Sequence, residues 1–195
     1  MKTMYTFCCL IFFLSCTKKE NRITPMQQLT TSENDIYLAI RLLFEAISSV
    51  EQLEGNQYPY LVDRLDLPLF VDQNPSLKKR IIAYFDQDSV SLQMQCKKWH
   101  HFKLEPQRIP FKTLLSAHDL VNLYDSKATD RSSRFLQNYQ KKYGNHGFYQ
   151  VSIPVFSRDK KVFYIDLNTF GSGQSFLFTF KNGKWTHRVV STWMS

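Results

Sequence analysis

The chain has 195 residues, of which 25 are lysine or arginine and 17 are aspartate or glutamate, so its formal net charge is +8. This length is enough for one globular domain, and a hydrophobic content of 43% excludes an intrinsically disordered chain. Four cysteines without a Cys-x-x-Cys pair exclude a zinc ribbon and a disulfide-dense scaffold. The composition therefore predicts a single basic domain.

The first fifteen residues have the pattern of a secretory signal. Lys2 precedes an apolar run from Met4 to Leu14, which is too short to span a bilayer. The run ends at Phe13-Leu14-Ser15-Cys16, which resembles the lipobox of bacterial lipoproteins. The resemblance implies removal of residues 1–15, acylation of Cys16 and anchoring in the bacterial cell envelope, on the periplasmic face or the cell surface.

The segment after the signal is polar and leads into a helix. Residues 16–31 contain Pro25 and show no periodicity, so we interpret them as a flexible tether, and residues 32–195 as a single domain. Thr31 or Ser32 is expected to cap a helix over Glu33 to Glu51. An apolar stripe at helical spacing supports this helix: Ile36, Ala39, Ile40, Leu43, Ala46, Ile47 and Val50.

The middle of the chain is predicted to be mostly helical. Residues 58–74 are ambiguous because Pro68 limits any helix there, and Asp86 or Asp88 could cap a helix that follows. The expected helices are Pro75–Phe85, Ser89–Trp99, a short one within 114–123, and Ser132–Tyr143 with Gly144 as its C-cap.

The last fifty residues predict an antiparallel sheet. Residues 161–169 alternate between apolar and polar side chains, and Phe176, Phe178 and Phe180 repeat that period of two. Asn182-Gly183 is a strong signal for a two-residue hairpin turn, which places Phe180 opposite Trp185, Phe178 opposite His187 and Phe176 opposite Val189.

Two further features complete the predicted sheet. A four-residue connection over 171–174 would pair Leu167 with Phe178 and Ile165 with Phe180. A first strand over 149–155 should lie at an edge, because Pro154 cannot donate to a neighbouring strand. Helices followed by strands indicate an α+β fold, in which N-terminal helices pack on a C-terminal four-stranded antiparallel meander.

The sheet sequence also resembles a group of bacterial proteins. The run from Gly147 to Asp159, then Gly171-Ser172-Gly173, Gly183-Lys184-Trp185 and Trp193, is similar to the C-terminal half of small Bacteroidetes-type lipoproteins. This resemblance implies an envelope location and a sheet, and it implies no catalytic residue. Helices before a curved antiparallel sheet also resemble the nuclear-transport-factor-2-like architecture, which implies a fold and no function.

Two groups of polar side chains are candidate sites. Five cations are expected at one end of the meander, since its first and third turns lie together: Arg158, Lys160, Lys161, Lys181 and Lys184. They could bind an anionic group, or they could keep the turns soluble and block edge pairing. A polar row on one sheet face could line a pocket around its one charge, or could simply be solvated: Gln150, Asp166, Thr179 and Thr186.

Other chemistry has little support in the sequence. His100 and His101 diverge on a helix, and no histidine or cysteine pattern indicates a metal. Gly171-Ser172-Gly173 lacks the setting of a serine nucleophile and is interpreted as a turn. Cys96 is expected to be a small buried residue rather than a reactive thiol. We therefore expect no metal, no cofactor and no catalytic residue.

The sequence favours a non-enzymatic envelope lipoprotein that binds an anionic ligand or a protein partner. Residues 17–105 carry a net charge of −1 and residues 106–195 carry +8, so the sheet half of the chain is the cationic half. The alternative is a small-ligand pocket protein or hydrolase that uses the polar face around Asp166. Nucleic acid is not an expected partner of an exported lipoprotein.

Overall fold

A computed structural model describes residues 31–53, 57–72, 75–85, 87, 89–124 and 130–194. The fold is α+β, as predicted, with most helices before a mixed and largely antiparallel sheet. The helices are α1 (Glu33–Leu53), α2 (Leu69–Asp72), α3 (Pro75–Ile82), α4 (Ser89–Trp99), α5 (Ala117–Val121) and α6 (Arg131–Tyr143). The strands are β1 (Tyr60–Val62), β2 (Thr113–Leu115), β3 (Phe148–Val151), β4 (Val155–Phe156), β5 (Val162–Thr169), β6 (Ser172–Lys181) and β7 (Lys184–Met194).

The predicted meander forms the larger part of the sheet. The strand order is β2-β1-β3-β5-β6-β7, and β4 pairs with β5 beside β3. The strand expected over 149–155 is thus divided into β3 and β4, which both pair antiparallel with β5. Strands β1 and β2 add to the meander in parallel with β3 and were not predicted.

The first strand was expected at an edge of the sheet, which is correct for β4 but wrong for β3. Strand β3 is internal because β1 pairs along its other side. Pro154 lies in the break between β3 and β4, and β4 pairs with β5 alone. On the open side of β4, the Gln95 side chain of α4 accepts the Phe156 N–H at 3.1 Å and donates to the Phe156 carbonyl at 2.8 Å. The missing proline N–H therefore coincides with the point where strand pairing ends.

The two hairpin registers differ in how well they were predicted. The β6–β7 pairs Phe180–Trp185, Phe178–His187 and Phe176–Val189 are confirmed, and Asn182 and Gly183 have φ angles of 51° and 77°. The β5–β6 prediction is wrong by four residues, because Leu167 lies opposite Gln174 and Ile165 opposite Phe176. The turn there uses only residues 170 and 171, between the paired Thr169 and Ser172.

Most predicted helices are confirmed with small changes of length. Helices α1 and α4 begin where expected, and α6 ends before Gly144, whose φ is 75° and whose N–H donates to the Gln140 carbonyl. The helix expected within 114–123 is shorter, because residues 113–115 form β2. The caps expected at Asp86 or Asp88 lie outside the described residues, as do the signal, Cys16 and the tether up to residue 30.

Helices cover both faces of the sheet, which gives two main core clusters. Helix α1 packs Ile36, Ile40 and Leu43 against Phe163 and Ile165, so the apolar face is buried as predicted. The opposite face was expected to be solvated or to line a pocket, but over β5 it is covered by a second cluster. Its members are Phe70, Ile81, Phe85, Leu92, Cys96, Val155, Tyr164 and Leu177. Cys96 is only 2% exposed and packs there as a small apolar residue, as expected.

Candidate functional site: the cationic end of the sheet

The β4–β5 and β6–β7 turns lie at the same end of the sheet, as predicted. The Phe180 N–H donates to the Lys161 carbonyl at 2.7 Å, and Val162 pairs with Thr179. Four of the five predicted cations are exposed here: Arg158, Lys161, Lys181 and Lys184. We call this group, together with Lys160, the cationic end.

Lys160 differs from the other four because it forms an ion pair. Its ammonium lies 2.7 Å from Asp35 Oδ2, and the two side chains are 29% and 19% exposed. Burial alone would raise the pKa of Asp35, but hydrogen bonds from Lys160 and Ser32 hold it below its ordinary value. Lys160 has a φ of 57°, which is uncommon for a residue with a side chain. A side chain is nevertheless needed here, because glycine could not reach Asp35.

Asp35 also caps the start of α1. Its Oδ2 accepts the Ser32 N–H at 2.7 Å, and Ser32 Oγ in turn accepts the Asp35 N–H at 3.3 Å. This reciprocal arrangement is a capping box, with the acid in the position that glutamate commonly holds. One carboxylate oxygen therefore joins the beginning of α1 to the β4–β5 turn. The chain enters the described domain at the cationic end.

Asp159 is the one acid within the β4–β5 turn. It accepts hydrogen bonds from Ser157 Oγ at 2.7 Å and from the Lys161 N–H at 3.1 Å. These bonds lower the pKa of Asp159, so the carboxylate is charged at neutral pH and shapes the turn. Among the described residues, Arg158, Lys181 and Lys184 have no ion-pair partner.

A groove of about 470 Å³ opens beside the cationic end, on the sheet face that α2–α4 cover elsewhere. Its floor contains Val162 and the buried Leu177, and Tyr84 forms one side. Four polar side chains complete it: Thr179, Lys181, Thr186 and Arg188. The groove thus brings together two of the four predicted pocket residues and one predicted cation. Arg188 was not singled out from the sequence, although its spacing from Lys184 and Thr186 places all three on one strand face.

The other two predicted pocket residues lie elsewhere. The β5–β6 register pairs Asp166 with Ser175, whereas Thr179 pairs with Val162, so the expected row does not form. Gln150 pairs with Asn168 on β5, and its side chain hydrogen-bonds to Asp66. The row was deduced from the incorrect register of the β5–β6 hairpin.

Asp166 is fully buried, with an exposure of 0%. Its Oδ1 accepts hydrogen bonds from Tyr164 Oη at 2.5 Å and Ser175 Oγ at 2.6 Å, and its Oδ2 accepts the Leu69 N–H at 2.8 Å. Burial raises the pKa of Asp166 to about 6, against the effect of these hydrogen bonds. The carboxyl group therefore fastens the first residue of α2 to β5, and it is closed to a ligand on the sheet face.

The described residues contain no cluster of histidine, cysteine, aspartate and glutamate that could hold a metal ion. Within the same residues, no helix has the length and hydrophobicity needed to cross a membrane. Comparisons of the chain with protein-family models, with curated proteins and with solved structures find no match.

Proposed function

We propose that this chain is a non-enzymatic lipoprotein of the bacterial cell envelope, anchored through Cys16, whose cationic end contacts the anionic surface of the anchoring membrane. The observation that carries the proposal is the shared carboxylate of Asp35. Its Oδ2 binds both the Ser32 N–H at the entrance of the domain and the Lys160 ammonium. Ser32, near the start of the described residues, therefore lies at the same end of the domain as the exposed cations.

The length of the tether is consistent with this contact. About fifteen residues separate Cys16 from the start of α1, and an unstructured chain of that length spans roughly 20 Å on average. Cations held so close to an anionic leaflet each contribute about 1 kcal/mol to binding. A basic patch beside the lipid anchor would therefore hold the domain against the membrane and orient it there.

Charge reversal tests this proposal. We expect the chain from residue 17 onward, which lacks the signal and Cys16 and contains the whole described domain, to lose binding to vesicles with anionic headgroups when it carries Lys161→Glu, Lys181→Glu and Lys184→Glu together. Co-sedimentation measures this binding. Binding of the wild-type domain should fall as salt rises, because the cations are exposed. Lys160 is left unchanged in this variant, so that its ion pair with Asp35 is kept.

Lys97→Glu, Lys141→Glu and Arg134→Glu provide a matched control. These three cations are exposed on α4 and α6, outside the cationic end, and their reversal changes the net charge by the same amount. Equal loss of binding in both variants would show that total charge, and not the cationic end, controls attachment. Salt-independent binding of the wild type would also count against the proposal.

The alternative of a hydrolase or pocket around Asp166 has no support in the geometry. The carboxyl group is closed off by Tyr164, Ser175 and the start of α2. No second acid, histidine or cysteine among the described residues accompanies it in a hydrogen bond.

A further inference from the structure

One face of the β6–β7 hairpin extends beyond the helices and carries an ordered set of polar groups. The register places three cross-strand pairs in succession on this face: Leu177–Arg188, Thr179–Thr186 and Lys181–Lys184. Directly opposed residues have Cβ atoms about 5 Å apart, and successive pairs on one face lie roughly 7 Å apart. The two threonines are thus bracketed by cations, with Arg188 on one side and the lysine pair on the other.

The guanidinium of Arg188 is held in position by an aromatic ring. Its Cζ lies 4.4 Å from the centre of the Tyr84 ring, which is itself 44% exposed at the side of the groove. Stacking on a ring leaves the donor N–H groups at the edge of the guanidinium free to bind an oxyanion. The described residues include no acid paired with Arg188, Lys181 or Lys184.

The threonine pair supplies one free neutral donor between these charges, the hydroxyl of Thr179. Thr186 Oγ1 donates to the Thr179 carbonyl at 3.2 Å, which fixes its rotamer, and its oxygen remains exposed to solvent. The Thr179 hydroxyl makes no hydrogen bond within the described residues and is only partly buried in the groove. Every polar side chain that lines the groove is therefore neutral or cationic.

We infer that the groove formed by Tyr84, Thr179, Lys181, Thr186 and Arg188 is a binding site for one phosphate group, with Lys184 at its rim. Arginine and lysine neutralise the charge, and the Thr179 hydroxyl can donate to a remaining oxygen, as phosphate recognition requires. A monoester phosphate, with two negative charges near neutral pH, fits three cations better than a diester does. The site rests on the proposed function, because the phosphate of a lipid headgroup at the cationic end would reach it.

Two threonine-to-valine changes distinguish this site from general charge attraction. Thr179→Val with Thr186→Val removes both hydroxyl groups but keeps the shape, the strand propensity and all five residues of the cationic end. We expect the wild-type domain to bind vesicles containing phosphatidic acid several-fold more tightly than vesicles of equal surface charge made with phosphatidylglycerol. The double variant should lose this preference and keep the phosphatidylglycerol binding.

A second arm asks whether the phosphate must come from a lipid. Inorganic phosphate, titrated into the wild-type domain at constant ionic strength, should shift the amide signals of residues 177–188 in nuclear magnetic resonance spectra and compete with phosphatidic acid vesicles. Shifts without competition would identify a site for free phosphate. Competition would identify the lipid headgroup as a ligand.

Controls separate failure of the site from failure of the proposed membrane contact. Thr192→Val on β7 lies outside the groove and should behave as wild type, and Arg188→Gln should lose the phosphatidic acid preference as the double variant does. If the double variant keeps the full preference, the phosphate site is wrong. If the wild type binds neither vesicle, the membrane contact is wrong, and phosphate-induced shifts at residues 177–188 would then test the site by themselves.

Discussion

Asp166 shows how a single residue can be placed correctly on a strand face and still be misjudged in its surroundings. Alternation along β5 predicted that it lies on the face opposite Phe163 and Ile165, and it does. No sequence pattern indicated that α2, α3 and α4 cover this face, since a lone aspartate between apolar residues is equally compatible with a solvated surface. Tyr164 lies on the same face of the same strand, but Ser175, which also binds the carboxyl group, could be recognised only with the correct register.

The buried position of Asp166 predicts a pH dependence of stability. Its pKa is raised to about 6 in the folded protein, from an ordinary value of 3.8, so folding favours the protonated form. The stabilisation is complete below pH 3.8 and is lost as pH rises through about 6. A difference of roughly two pKa units corresponds to on the order of 3 kcal/mol in the free energy of unfolding.

Replacing Asp166 with asparagine should remove this dependence. The amide cannot titrate, and like the protonated carboxyl it can keep an oxygen on the Leu69 N–H and a donor on the Tyr164 and Ser175 hydroxyls. We therefore expect the free energy of unfolding of Asp166→Asn to be flatter between pH 4 and pH 6 than that of the wild type. Urea unfolding of both proteins at several pH values measures the difference between their free energies of unfolding. Other acids, such as Asp66, titrate equally in both proteins and do not contribute to this difference. Parallel curves for the two proteins would contradict the assigned pKa.

Among the elements of the fold, local turn chemistry decided which predictions succeeded. Asn182-Gly183 encodes its own turn type, so the β6–β7 register follows from two residues. The β5–β6 turn has phenylalanine at residue 170 and glycine at 171, with φ of 92° at the glycine, which is a weaker signal than the glycine-rich stretch that follows it. The four-residue error in register kept the correct side chains inward, because an even shift preserves the strand face.

Strands β1 and β2 could not be predicted for a different reason. Each has three residues, which is too short for a period of two to be recognised, and each pairs in parallel with a partner distant in sequence. The Gln95 amide that closes the open side of β4 is likewise a contact between distant residues, since it joins α4 to Phe156. Such pairings are set by tertiary packing and leave no local pattern.

The β6–β7 turn can be tested through its glycine. Gly183 has a φ of 77°, and a Cβ atom there would contact nothing within 4 Å, so the cost of substitution is conformational rather than steric crowding by neighbours. We expect Gly183→Val to lower the free energy of unfolding by about 1 to 3 kcal/mol. Gly183→Asn is the matched control, because asparagine tolerates positive φ, and it should cost distinctly less. Equal melting temperatures for Gly183→Val and wild type would contradict the tight turn.

For the whole molecule, the sequence predicted the charge layout better than the candidate pocket. The excess of cations in residues 106–195 follows from composition alone. The position of two turns at one end of the sheet follows from strand direction, which was predicted correctly. The ion pair between Lys160 and Asp35 depends on where α1 begins relative to the sheet, and this required the structure. That contact places the cationic end beside the beginning of α1.

The arrangement of anchor and cationic end leads to a prediction about the full-length protein in its membrane. Lipidation at Cys16 is predicted from the lipobox-like sequence, and the cationic end is proposed as a second attachment. Two attachments in one molecule act together, because the first raises the effective concentration of the second. Cys16→Ser should abolish the acyl adduct and the removal of residues 1–15, both seen by intact mass.

Reversal of Lys161, Lys181 and Lys184 to glutamate should have a different effect in the same full-length chain. Processing and acylation should be unchanged, because the signal and Cys16 are intact, and the lipid anchor should keep the protein in the membrane fraction. Loss of the membrane contact should instead make the domain more accessible, so that added chymotrypsin cleaves it faster than it cleaves the wild type in the same membranes, with the variant of Lys97, Arg134 and Lys141 as the control. Cys16→Ser protein that stays processed and membrane-bound would remove the anchor, whereas equal cleavage rates for all acylated variants would remove the cationic end as a second attachment.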